Sequence, residues 1–217
     1  MCKKLVIAVV LSFMLTGAAN AELVGWWKFD EASGTTAADS SGNGNDGTLN
    51  GSAAFAPVDG QVGGALSMDG SAGGYVEIPN PGVLTLINKG DFTITMWVRD
   101  NNPSENSAFI AKWGGGSGNR EFVFEKEDSK LKWVISDGTS YPILYGNTAL
   151  SANVWYHIAV VNDWDNDEAI LYLNGNQDAI DTEWTSSMNS YTTSVKIGTR
   201  TLDNYFDGTI DEVRIYN

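Results

Sequence analysis

Residues 91–100 read "DFTITMWVRD", and their alternation sets the architecture. Successive side chains of an extended chain point to opposite sides. Phe92, Ile94, Met96 and Val98 therefore share one face, and Thr93, Thr95, Trp97 and Arg99 share the other. A helix would scatter the same apolar residues around its circumference. The two-residue period returns in "AILYLNGN" at 169–176, where Ile170 and Tyr172 alternate with Leu171 and Leu173 and Asn174-Gly175 signals a tight turn.

Working outward, strands are expected at Leu23–Phe29, Ala65–Met68, Gly74–Ile78, Phe92–Arg99, Ser107–Lys112 and Glu121–Glu125. Further strands are expected at Lys130–Ile135, Trp155–Asn162, Ala169–Leu173, Ser194–Gly198 and Gly208–Tyr216. Clusters of Gly, Asn, Asp and Ser separate them, and helical signals are scarce. Several of these strands are apolar or aromatic on both faces, which suits two stacked sheets better than one open sheet. The expected fold is all-β, a two-sheet sandwich or jelly roll forming one domain over residues 22–217.

The N-terminus reads as an address. Basic "MCKK" precedes the apolar run "LVIAVVLSFMLTG", which is short for a membrane span, and Ala19-Asn20-Ala21 fits a small-residue cleavage site. A signal peptide over residues 1–21 predicts a secreted or periplasmic chain with no membrane attachment after cleavage. Cys2, the single cysteine, leaves with that segment, so the mature chain has no disulfide. The whole chain carries a formal charge of −14, and loss of Lys3 and Lys4 takes it to −16. Such a surface repels phosphate backbones, which argues against a nucleic-acid partner.

The segments "LVGWWKFDE", "DSSGNGNDGTL", "GGALSMDGSAGGYVEIP", "DFTITMWVR", "VWYHIAVV", "AILYLNG" and "FDGTIDEVRIYN" occur in that order. In this the chain resembles the laminin G-like, pentraxin-like branch of the concanavalin A-like lectin/glucanase superfamily. The resemblance implies a two-sheet antiparallel jelly-roll sandwich whose first and last strands pair. It does not imply an activity, because this fold carries lectins, adhesion modules, glycosidases and spacers.

Calcium needs six to eight hard oxygens. The stretch 38–51 offers Asp39, Asn43, Asn45 and Asp46, with Gly42 and Gly44 free to turn carbonyls inward. The resemblance implies a structural Ca2+ with Asp39 and Asp211 as side-chain ligands, Gly42 as a backbone ligand and Asn45 as an amide ligand. The alternative is a turn whose Asp and Asn side chains bond their own backbone. A second acidic run, "NDWDNDE" at 162–168, lacks the glycine and distal Glu of a calcium loop and reads as a solvated hairpin tip.

Eight tryptophans invite the question of which lie outside the core. Trp27, Trp97, Trp133 and Trp155 sit in apolar strand runs and read as core or inter-sheet packing, with Trp26 on the face opposite Trp27. Trp113, Trp164 and Trp184 read as loop aromatics. Sugar C–H faces stack on such rings, so Trp113 with Asn119 and Arg120, or Trp184 with Glu183 and Tyr191, are candidate ligand-binding sets. The alternative is that each ring folds back as a lid. Glu121 and Glu125 share a strand face and could serve glycoside hydrolysis, but Phe122, Val123 and Phe124 fill the place of the intervening aspartate of laminarinase-type enzymes. His157, the single histidine, has no "GxSxG" partner motif and no zinc-ligand company.

The sequence thus points to a secreted, calcium-stabilised binding module for an extracellular glycan, with no catalytic residue assigned. A structural or adhesion module contacting a surface protein is the first alternative. A glycoside hydrolase using the two glutamates is the second.

Overall fold

The computed structural model describes residues 21–71, 73–79, 91–115, 119–185, 188, 191–201 and 204–217. All but Ala21 of the expected leader lies outside the described residues. Two antiparallel sheets face each other. Sheet A runs β14 (Asn176–Asp181), β13 (Glu168–Leu173), β12 (Trp155–Asp163), β7 (Phe92–Asp100), β16 (Asp207–Tyr216), β5 (Ala65–Asp69) and β4 (Ala54–Ala56). β1 (Leu23–Trp27) joins the same sheet along the second half of β16. Sheet B runs β11 (Ile143–Ala149), β10 (Lys130–Ile135), β9 (Arg120–Glu127), β8 (Ser107–Trp113), β15 (Val195–Ile197), β6 (Tyr75–Ile78), β3 (Gly47–Asn50) and β2 (Thr36–Ala37). None of these elements is a helix, and among the described residues no helix is long and apolar enough to cross a membrane.

Every strand read from the sequence is present, and β7 alternates buried and half-buried residues along its whole length. The expected pairing of first and last strands is also present, with Leu23 opposite Tyr216 and Trp27 opposite Val213. The unexpected strands are β2, β3, β4, β11 and β14. They are short or polar, as in "GTLN" and "NQDAID", and carry no apolar period. Ladder hydrogen bonds from their neighbours make them strands, which propensity alone does not reveal.

The core fills the space between the sheets. Trp133 of sheet B meets Phe92 of sheet A at 5.8 Å between ring centroids, in an edge-on arrangement, and packs on Phe122 at 5.7 Å. Trp27, Phe109, Phe124 and Phe206 are likewise fully buried. Each such ring contributes roughly 1.5–3 kcal/mol by leaving water, and this core does the work that disulfides do in many secreted domains.

Candidate functional site

The outer face of sheet B is assembled from register. One cross-strand row joins Thr36, Thr48, Glu77 and Lys196 to Ala111, and continues through Val123 and Val134 to Ile143. Its first half is polar. There Thr48, Asn50, Glu77, Pro79, Thr192 and Ser194 line an open depression of about 540 Å³. Ser194 Oγ donates to Glu77 Oε1 at 2.7 Å, and Lys196 Nζ donates to Ser194 Oγ at 3.1 Å, so three polar side chains are held in a fixed chain.

The second half is apolar and buried. Ala108, Ala111, Val123 and Val134 form a cluster with Trp113, separate from the inter-sheet core, and Tyr141 packs against it. Trp113 pairs with Arg120 across β8 and β9. The Arg120 guanidinium stands 5.3 Å from the Trp113 ring and 5.5 Å from the Tyr141 ring, and Nη1 donates to the Tyr141 hydroxyl at 3.2 Å. Gly114 N–H donates to the exposed Asn119 carbonyl at 2.6 Å, closing the turn beside them. Tyr191 N–H donates to Glu121 Oε1 at 2.5 Å, which seats the segment leading into β15 between this cluster and the depression.

Four of the five residues expected to bind ligand thus gather at one end of sheet B: Trp113, Asn119, Arg120 and Tyr191. Tyr141, the partner that completes the cluster, was missed because "SYPILY" carries no strand period at that point. Trp184 is a correction. It is 2% exposed, belongs to the inter-sheet core and donates Nε1–H to Asn162 Oδ1 at 2.9 Å, so it has no ring face to offer. Trp113, at 8% exposed, is a wall that holds Arg120 rather than an open stacking platform.

The paired-glutamate reading is corrected as well. Glu121 and Glu125 lie about 13 Å apart at their Cα atoms, four strand residues along. Retaining pairs need about 5–5.5 Å between carboxyls and inverting pairs roughly 6.5–9.5 Å. Glu121 is fully buried against Lys112 at 2.9 Å, and burial pushes its carboxyl up despite that ion pair. Glu125 is held by Lys132 at 2.9 Å and Arg200 at 3.5 Å. Both carboxyls serve as partners to buried or half-buried cations.

The outer face of sheet A holds aromatics that the sequence reading assigned to packing inside. Trp97 and His157 pair across β7 and β12 and meet edge-on at 5.2 Å. Trp155 lies under Arg99 at 5.1 Å, and Trp26 is covered by Lys28 at 4.1 Å and Arg214 at 4.7 Å. The signal was present, since Trp97 shares its face with Thr93, Thr95 and Arg99. These rings already have cationic or aromatic partners.

The expected calcium ligands Asp39 and Asp211 sit in separate hydrogen-bonded settings. Asp39 Oδ1 accepts from the N–H groups of Trp26 and Ser41, and Oδ2 accepts from Ser41 Oγ and Asn45 N–H. Burial pushes this carboxyl up, but the four hydrogen bonds outweigh it and hold it below its ordinary value. Asn45 Nδ2 donates to the Val24 carbonyl at 2.8 Å, and Gly42 has a positive φ of 91° within the same loop. Asp39 bridges Trp27 on the edge of β1 away from β16, whereas Asp211 belongs to β16 on the other side. Asp211 Oδ2 accepts from Val62 N–H at 2.9 Å, and its Oδ1 is buried without a hydrogen-bond partner. Among the described residues no group of three or more His, Cys, Asp or Glu is arranged to hold a metal. The Asp39 carboxylate is taken up by nearby donors, while Asp211 keeps a buried oxygen that a hard cation would satisfy.

Residues 69–217 match the laminin G-like profile of the concanavalin A-like lectin/glucanases superfamily. No curated protein sequence matches the chain. Among solved structures it is similar to domain 4 of AbnA, a GH43 extracellular arabinanase from Geobacillus stearothermophilus, in complex with arabinotriose. That likeness has a TM-score of 0.69 at 22% identity and covers 91% of this chain and 93% of the other. The binding domain of Paraclostridial Mosquitocidal Protein 1 is similar with a TM-score of 0.69 at 17% identity, over 90% of this chain and 48% of that one. Botulinum neurotoxin type C, in a structure concerned with cell entry through two ganglioside molecules, has a TM-score of 0.69 at 12% identity, over 90% and 47%. The chain spans about half the length of these two toxin chains. At such identities the likeness is one of fold.

Proposed function

The chain belongs to the concanavalin A-like lectin/glucanases superfamily, and from that premise we propose that it is a non-catalytic module that binds carbohydrate through the outer face of sheet B. The observation that carries this reading is the depression between Thr48, Asn50, Glu77 and Ser194, on the same outer face of sheet B as Trp113 and Arg120. Its hydroxyl, amide and carboxylate groups match sugar hydroxyls. A volume of about 540 Å³ suits a short run of sugar residues. The fold relatives solved with arabinotriose or concerned with gangliosides both engage sugars, which supports the same ligand class here. The acidic chain, at −14, favours a neutral glycan over a sulfated or uronic one.

Affinity electrophoresis and calorimetry against neutral polysaccharides (arabinan, xylan, β-glucan, mannan) test the reading. Binding to at least one is expected, with about a tenfold loss on Asn50→Ala combined with Glu77→Ala, because about 1.4 kcal/mol of lost hydrogen bonding is a factor of ten. Binding that survives both changes would move the site elsewhere, and no binding to any of them would sink the reading. The chain acts outside the cytoplasm after removal of residues 1–21, which N-terminal sequencing of the exported protein checks. The same proposal includes a structural Ca2+ held by Asp211 through its orphaned Oδ1, where the ion would neutralise a buried charge and brace β16. Contact with a surface protein is the second reading, favoured by the half-exposed aromatic face of sheet A and by Ile180 at its edge, 40% exposed.

A further inference from the structure

Asp100 closes β7 in sheet A, and Lys126 lies near the end of β9 in sheet B. Their side chains meet between the sheets. Lys126 Nζ stands 2.5 Å from Asp100 Oδ2, with the side chains 1% and 2% exposed. Nζ is steered by the Asn102 carbonyl, to which it donates at 2.5 Å, and the Phe206 ring shields it from 6.0 Å away. Asp100 Oδ1 accepts the Asn102 N–H at 2.9 Å, whereas Oδ2 is buried and makes no hydrogen bond of ordinary geometry. Burial pushes the Asp100 carboxyl up and the Lys126 amine down, each towards its neutral form and against the attraction between them.

An amine held against a carboxyl at 2.5 Å, in a water-excluded space between two sheets, is the reactant pair of an amide bond. We propose that Lys126 and Asp100 become joined by an isopeptide bond that staples sheet A to sheet B. The lone pair of Nζ attacks Cγ of protonated Asp100, and the C–OH bond breaks. A proton from nitrogen goes to the departing hydroxyl, and one water leaves. No oxidant, reductant or cofactor is consumed. Asp207 acts electrostatically on both partners, and the relay of that proton is assigned to it. In a chain whose one cysteine is Cys2, such a bond supplies the covalent cross-link that a disulfide cannot.

The experiment is peptide mapping of the full purified chain by mass spectrometry after unfolding and proteolysis. The peptides carrying Asp100 and Lys126 should emerge as one branched species, lighter than their sum by one water. Lys126→Arg and Asp100→Ala should abolish that species, and Asp207→Asn should slow its appearance in freshly synthesised protein. The decisive readout is on the native sequence, so a variant that fails to fold leaves the result intact. Recovery of both peptides separately at full mass, with the Lys126 amine open to methylation in the unfolded chain, would overturn the proposal.

Discussion

The buried indole of Trp27 donates Nε1–H to the main-chain carbonyl of Asn45 at 2.9 Å. A fully buried core ring is thereby fastened to the glycine- and amide-rich loop that follows β2. Trp27→Phe removes the donor and leaves a buried carbonyl unpaired. A loss of about 1–3 kcal/mol is expected, seen as a lower urea midpoint with an unchanged m-value.

Asp39 organises the same loop through four hydrogen bonds. Asp39→Ala should cost about 2 kcal/mol, because hydrogen bonds to a charged acceptor are worth more than neutral ones. Its folded carboxyl is held below the unfolded value of 3.8. The contribution is therefore full above that value and is lost as pH falls through the lowered folded one. The stability gap between wild type and Asp39→Ala, followed by thermal melts, should narrow only in strong acid.

Asp211 behaves with the opposite sign. Burial, with a further push from Glu212, raises its carboxyl to about 6, against the Val62 and Gln61 N–H groups that pull it down. In EDTA the folded state then binds more protons than the unfolded one between the ordinary 3.8 and about 6, so stability falls as pH rises through that window. Asp211→Asn should remove this dependence and be the more stable protein at neutral pH. With calcium added, the wild type should gain melting temperature and the variant should not. Equal responses of the two proteins to calcium would remove Asp211 as its ligand.

Gly60 lies beside that carboxylate. A Cβ there would come within 1.9 Å of the Gly64 carbonyl oxygen and 2.9 Å of Asp211 Oδ2. Gly60→Ala should therefore force the loop 60–64 to move and destabilise the fold by about 1–3 kcal/mol, as overpacking does. Proteolysis of the native protein should show new cleavage confined to that loop.

Arg120 and Trp184 separate binding from stability. Arg120→Lys keeps the charge but gives up the guanidinium held near both the Trp113 and Tyr141 rings, so glycan affinity should fall several-fold with little change in melting temperature. Trp184→Phe should do the reverse: it strands the Asn162 side chain and costs about 1–3 kcal/mol without touching affinity. Calorimetry and melting curves on the same samples distinguish the two.

The sequence by itself determined the strands with a clean two-residue period and the parity of their side chains. Alternation in 91–100 and turn residues such as Asn174-Gly175 act locally, and no distant contact is needed to read them. It also placed Trp113, Asn119 and Arg120 together, because they flank one turn. Parity does not say which side is inside. Trp97 lies outside although its strand is apolar, and Trp184 lies inside although its neighbours are Asp, Thr and Glu, because Asn162 of β12 receives its N–H. Only the tertiary structure decided that Asp39 and Asp211 stand on opposite sides of β1, and that strands from β2 to β11 align Thr48, Glu77, Lys196 and Ala111 in one row. Those arrangements depend on which distant strands pair and in what register, and a one-residue slip would turn each of these side chains to the other face.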